Sequence, residues 1–133
     1  MKKEVNNTEI LEGLKPTSTV EERLHALRKS GIPSTLIAKV LGVSESSIRN
    51  WYSGYAKPKT EAYERLDDIR TTMQMLTEGG NLPPERATQW LNSREEEPPF
   101  DRPIDIIATN PDKVFELAKR CIAAFQNSSE SQA

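Results

Sequence analysis

The sequence predicts an all-α fold, and three observations carry that prediction. Apolar residues return every three or four positions over most of the chain, the spacing of a buried helix face. Residues that start and stop helices bracket those stretches. No segment alternates apolar and polar residues in the manner of a half-buried strand, and no internal repeat is present. Of the 133 residues, 35% are apolar and 29% charged. That balance allows one compact domain or two very small ones. Such a core is modest, so oligomerisation or a partner would add to its stability.

Residues 1–18 are polar and lack a period apart from Ile10, Leu11 and Leu14, and they read as a flexible N-terminal arm. Thr19-Val20-Glu21-Glu22 is a capping box, in which the Thr19 hydroxyl accepts from the Glu22 N–H while the Glu22 carboxylate reaches back. The helix it opens carries Leu24, Leu27 and Arg28 along one side and ends at Ser30-Gly31. Pro33 suits the first turn of a second helix, Ser34 to Leu41, with Leu36, Ile37, Val40 and Leu41 on its apolar face. After Gly42-Val43, Ser44 caps a third helix that runs to about Tyr52, and Gly54 stops it.

A fourth helix from about Lys59 to Leu76 spaces Ala62, Leu66, Ile69, Met73 and Leu76 by 4, 3, 4 and 3 residues. That pattern serves either a helix closing the N-terminal core or a dimer seam. Glu78-Gly79-Gly80-Asn81-Leu82-Pro83-Pro84 then marks the clearest boundary in the chain. Beyond it lie a helix around Glu85 to Asn92 with Ala87, Trp90 and Leu91, a charged loop, and a short apolar turn, Pro103 to Ile107. Asn110 and Pro111 then open a last helix bearing Val114, Leu117, Ala118, Cys121, Ile122 and Phe125. Phe115 departs from that stripe, and residues 127–133 read as a disordered tail.

Residues 33–54 place Ala38 where two helices must approach closely, Gly42 at a sharp turn, and Val43, Ile48 and Trp51 as apolar contacts. With the Trp51-x-x-Gly54 ending and the following Lys57-Pro58, the segment resembles the Xre/lambda-repressor class of helix-turn-helix proteins. The resemblance implies that the second helix enters the DNA major groove by its N-terminal end. Ser44 would cap that end, with Glu45, Ser46, Arg49 and Asn50 facing outward. Arg49 can read guanine bidentately, Asn50 adenine, and Glu45 can accept from cytosine N4. Ser34, Lys57 and Lys59 would hold phosphates. Each of these residues is equally at home on a plain solvated surface; the framework is what groups them.

The formal net charge of −2, with pI ≈ 5.5, seems to disfavour nucleic acid. Resolved along the chain it does not. Residues 19–60 hold Arg23, Arg28, Lys29, Lys39, Arg49, Lys57 and Lys59 against Glu21, Glu22 and Glu45, a balance of +4, and the remainder carries −6. The acidic groups lie away from the expected DNA face.

Gln89-Trp90-Leu91-Asn92-Ser93, a short gap, Arg102-Pro103-Ile104-Asp105-Ile106-Ile107 and an amphipathic helix are similar to the C-terminal toxin-binding region of Xre/MbcA/ParS-type antitoxins. Together with the helix-turn-helix, the likeness covers about residues 19–125. It implies a helix-turn-helix DNA-binding domain at 19–78 and a small helical toxin-binding module at 79–126. It also implies a cognate toxin, often of the RES or related ADP-ribosyl-transferase-like class that uses NAD, masked at its active site, and autorepression of the operon. On that likeness Trp90 and Leu91 would anchor the core of the module. Arg102, Pro103 and the off-stripe Phe115 would meet the toxin. The chain departs from the family where Pro99-Phe100-Asp101 replaces a Gly-rich step.

Enzyme chemistry has little support. One Cys and one His exclude a four-ligand zinc site and a disulfide framework within one chain. There is no Walker A loop or GxGxxG. His25 and Cys121 sit in separate amphipathic patterns, and Glu95-Glu96-Glu97 is a solvated charge run. No run approaches a membrane span, and Met1 to Asn7 lacks an apolar signal core, so a cytoplasmic protein without membrane contact is expected. The reading is a homodimeric antitoxin without cofactors that represses its operon through double-stranded operator DNA and neutralises a toxin. Two alternatives stand beside it: a phage- or plasmid-type regulator without a toxin, and an interaction adaptor that has left DNA, which Glu45 at a base-facing position favours.

Overall fold

A computed structural model describes residues 7–93 and 101–131. Among them are eight α-helices, one π-helical turn and no strand. The elements are α1 (Asn7–Gly13), α2 (Val20–Lys29), α3 (Ser34–Leu41), α4 (Glu45–Tyr52), α5 (Thr60–Gln74), the π-turn (Met75–Gly79), α6 (Pro84–Asn92), α7 (Pro103–Ile106) and α8 (Pro111–Ser131).

The local signals account for α2 to α4. Thr19 Oγ1 accepts from the Glu22 N–H at 3.1 Å, and Glu22 Oε1 accepts from the Thr19 N–H at 2.8 Å, so both halves of the capping box form. Pro33 occupies the N-cap of α3 in extended backbone rather than its first turn. Gly42 (φ +74°) and Gly54 (φ +83°) close α3 and α4 in the left-handed conformation. There Val43 N–H returns to the Ala38 carbonyl at 3.0 Å and Tyr55 N–H to the Asn50 carbonyl at 2.9 Å. These are the long bonds of a Schellman ending, which a Cβ at the glycine would strain. Ile37, Ala38, Val40, Leu41, Ile48 and Trp51 are all buried.

The expected loose arm is, from Asn7 onward, a helix. Ile10 and Leu14 are fully buried, and α1 packs along α2. The approach is close because residue 13 is glycine: a Cβ there would overlap the Glu22 carbonyl oxygen and lie 2.6 Å from Ala26 Cβ. Two buried arginines then satisfy the carbonyls where α1 ends. Arg70 Nη1 donates to Leu14 O at 2.8 Å and Arg23 Nη2 to Pro16 O at 2.9 Å. Both guanidiniums also share Asp67 Oδ1, at 2.8 and 3.2 Å. The contacts to the α1 segment come from residues beyond it, in α2 and α5, so the segment itself shows only a bare Ile10–Leu14 spacing.

The 4-3-4-3 series, which runs from α5 into the π-turn, faces inward. Ala62, Leu66, Ile69, Met73 and Leu76 are buried within the single chain, which assigns them to the core and removes them from any dimer seam. α5 touches α3, α6 and α8, so it joins the N-terminal helices to the C-terminal ones. Across the Gly79–Gly80 step the apolar residues from Ile10 to Ala118 form one cluster. Gly80 is pressed there, since a Cβ would sit 2.7 Å from Ile122 Cγ1. Leu82 N–H reaches back to Leu76 O at 2.9 Å. α8 starts as expected, with Asn110 Oδ1 accepting from Lys113 N–H at 3.2 Å. It continues to Ser131 instead of ending before residue 127. No glycine or proline follows Phe125 to stop it.

Candidate nucleic-acid interface

α4 presents its N-terminal end and one side to solvent. Ser44 Oγ accepts from the Ser47 N–H at 3.1 Å and fixes the start of the helix. Ile48 and Trp51 bury the inner face, which leaves Glu45, Ser46, Arg49 and Asn50 exposed. Arg49 Nη2 donates to Ser46 Oγ at 3.0 Å, so the guanidinium lies along the helix one turn from its start. Lys57 and Lys59 are exposed in the segment leading into α5, and Ser34 is half-buried at the first turn of α3.

Not all of these residues meet. Ser34, Arg49 and Asn50 line one hollow together with Arg28, Ile48, Tyr52, Ser53 and Tyr55. Lys57 lines a different hollow, beside Trp51, Pro58 and Tyr63. Arg28, Tyr52 and Tyr55 are additions that sequence reasoning did not single out as site residues. Arg28 Cζ stands 5.3 Å from the centre of the Tyr52 ring, and Tyr55 is 87% exposed. Tyr55 is drawn to the hollow because the Asn50 carbonyl accepts its N–H at the end of α4. The Arg28–Tyr52 pairing spans two helices, and nothing in the local sequence announces it.

Behind Tyr52 the chemistry changes sign. Its hydroxyl lies 2.9 Å from His25 Nδ1, and His25 Nε2 lies 3.4 Å from Glu9 Oε1. Glu9, Glu12, Glu21, Glu22, His25 and Tyr52 line an acidic hollow between α1 and α2. His25 is therefore engaged with Tyr52 and Glu9, while Cys121 lines a groove with Trp90 and Phe125.

The residues expected at a partner surface are partly or wholly buried. Arg102 clamps the start of α7: Nε and Nη2 donate to Asp105 Oδ2 and Oδ1 at 2.8 and 3.3 Å, and Nη1 to Asn92 Oδ1 at 3.0 Å. Pro103 is buried as the first residue of α7, and Phe115 is half-buried. Leu91 is buried, whereas Trp90 is half-buried and packs on the core from one side. The larger concavity is a groove between α6 and α8, with Leu82, Trp90, Cys121, Ala124 and Phe125 as its apolar wall. Arg86 lies at its edge, 5.8 Å above the Phe125 ring. Glu95-Glu96-Glu97 and Pro99-Phe100 lie outside the described residues.

Over 87 residues the chain is 31% identical to a protein of Mycobacterium tuberculosis described as "Probable mycobacterial cidal antitoxin Rv3188". The match covers 65% of this chain and 72% of that relative. The chain belongs to the family of that antitoxin. An 87-residue match is longer than residues 1–79 or residues 80–133 taken alone, so the antitoxin likeness runs across the Gly79–Gly80 step. No family model matches the chain, and no solved structure matches it. Among the described residues, no group of three or more His, Cys, Asp or Glu is placed to hold a metal ion. No helix among them is long and apolar enough to cross a membrane.

Proposed function

We propose that this chain is the antitoxin of a toxin–antitoxin pair, binding operator DNA through residues 19–78 and a cognate toxin through residues 79–126. The observation that carries the reading is the 31% identity to the mycobacterial antitoxin over a stretch longer than either half. In this reading the N-terminal end of α4 enters the major groove. Arg49 swings from Ser46 Oγ to meet guanine O6 and N7, Asn50 meets adenine, and Glu45 accepts from cytosine N4. Ser34, Lys57 and Lys59 contact phosphates and set the register. A homodimer places two such helices on a two-fold operator. The toxin, of a RES-like NAD-using class by resemblance, is held by the C-terminal helices. The α6–α8 groove offers it an apolar surface, and Phe115 lies on the same helix, α8.

The adaptor reading draws on Glu45, a carboxylate exposed at the end of α4 that should approach DNA. A carboxylate in the first turn also stabilises its own helix, which gives Glu45 a reason to be there in either case. Two measurements decide. Duplex DNA from upstream of the protein's own gene, titrated by fluorescence anisotropy, should bind more weakly as salt rises. Arg49→Ala should cost about 1–3 kcal/mol of that binding. Absence of salt-dependent binding would leave only the adaptor. Expression of the neighbouring reading frame should arrest growth, and co-expression of this chain should restore it. A neighbour that is harmless by itself would remove the antitoxin half of the proposal.

A further inference from the structure

We infer that Arg28, stacked on Tyr52, is a phosphate-holding site for the backbone of duplex DNA; this rests on the DNA reading above and adds a residue to it. Arg28 is exposed near the C-terminal end of α2, outside the α3–α4 pair. Its guanidinium lies 5.3 Å from the Tyr52 ring centre and shares a hollow with Arg49. That hollow is lined by two cations and no carboxylate. Neither arginine forms an ion pair among the described residues. Two unneutralised guanidiniums facing one concavity suit an anion, and Ser34, Ser53 and Tyr55 supply hydroxyls for its oxygens.

The aromatic shelf explains why the position is arginine. A planar guanidinium can lie over a ring and still present a fork of N–H groups at its edge, where an ammonium offers a compact point charge. Tyr52 is itself held by His25 Nδ1 at 2.9 Å and stands between this cationic hollow and the acidic one lined by Glu9, Glu12 and Glu22. The ring thus separates Arg28 from the carboxylates that would otherwise neutralise it. Arg49 faces base edges and Arg28 faces the backbone, so the two should differ in kind.

The test compares the full chain with its Arg28→Ala, Arg28→Lys and Arg49→Ala variants on the upstream duplex and on a scrambled duplex across a salt series. Arg28→Ala should weaken binding to both duplexes by the same factor and lower the salt slope by about one. Arg28→Lys should keep the slope and lose part of the affinity. Arg49→Ala should narrow the preference for the upstream duplex. Tyr52→Leu, which removes the ring, should resemble Arg28→Ala at an unchanged helix signal. If Arg28→Ala retains parental affinity and slope while Arg49→Ala is weakened, the phosphate site is wrong and the DNA reading stands. If the parent chain binds neither duplex, both fall together.

Discussion

Asp68 sits half-buried on α5, facing carboxylates of its own helix and of α8. Burial first, and then the charges of Asp67, Glu64 and Asp112, push its carboxyl up from 3.8 to about 6. The folded state therefore holds a proton that the unfolded chain has released between about pH 4 and 6. Stability from this group is complete below pH 4 and is lost as pH rises through 6. Asp68→Asn removes the charge that burial penalises. It should raise stability above pH 7 by on the order of 1 kcal/mol, after allowance for solvent screening at a half-exposed site. Urea midpoints measured from pH 4 to 8 should converge at the acid end; a constant gap between variant and parent would refute the account. At this scale the outward residues of α4 were readable, because Ile48 and Trp51 define an inner face and so expose Arg49 and Asn50. Arg28 and Tyr52 were not, since their contact joins α2 to α4 and no spacing rule reports it.

Elements with their own start and stop chemistry could be placed from sequence, and those held by distant contacts could not. The Thr19–Glu22 box, Gly42, Ser44 and Asn110 each encode a boundary within a few residues, and the structure keeps each one. α1 has no side-chain signal of this kind. Only seven residues long, it is below the length at which a helix is stable alone. It is ordered by Ile10 and Leu14 in the core and by Arg23 and Arg70 on the carbonyls around its end. The close crossing at Gly13 is its most demanding contact. Gly13→Val should push α1 off α2, with a loss of about 2 kcal/mol or more from overpacking against backbone. Hydrogen exchange should then accelerate at Leu14 and the preceding amides while α3 and α4 keep their protection. Unchanged exchange at Leu14 would show that α1 tolerates the added bulk.

On the scale of the whole molecule, charge and core divide the chain differently. Charge separates a +4 stretch at residues 19–60 from a −6 remainder, as the sequence arithmetic shows. The core does not respect that line: α5 and the π-turn carry Leu66, Ile69, Met73 and Leu76 into one cluster that also includes Leu27, Ile37, Leu91 and Val114. Sequence composition shifts at Gly79–Gly80 because the chain turns there, which is a different matter from a core ending there. Residues 79–126 are too few to sustain a core by themselves, so the two proposed functional halves should unfold as one unit. The chain carries its own reporters, with Trp51 buried in α4 and Trp90 at the edge of α6. Trp51→Phe leaves Trp90 to report on the C-terminal helices, and Trp90→Phe leaves Trp51 to report on the N-terminal ones. In each variant the fluorescence transition in urea should coincide with loss of the helical circular-dichroism signal, in midpoint and slope. If Trp90 fluorescence in the Trp51→Phe variant shifts at a lower urea concentration than the helical signal, the C-terminal helices open first and the shared core is not cooperative. Coincidence would mean that a toxin bound to the C-terminal helices stabilises α4 through α5, by mass action on one folding equilibrium.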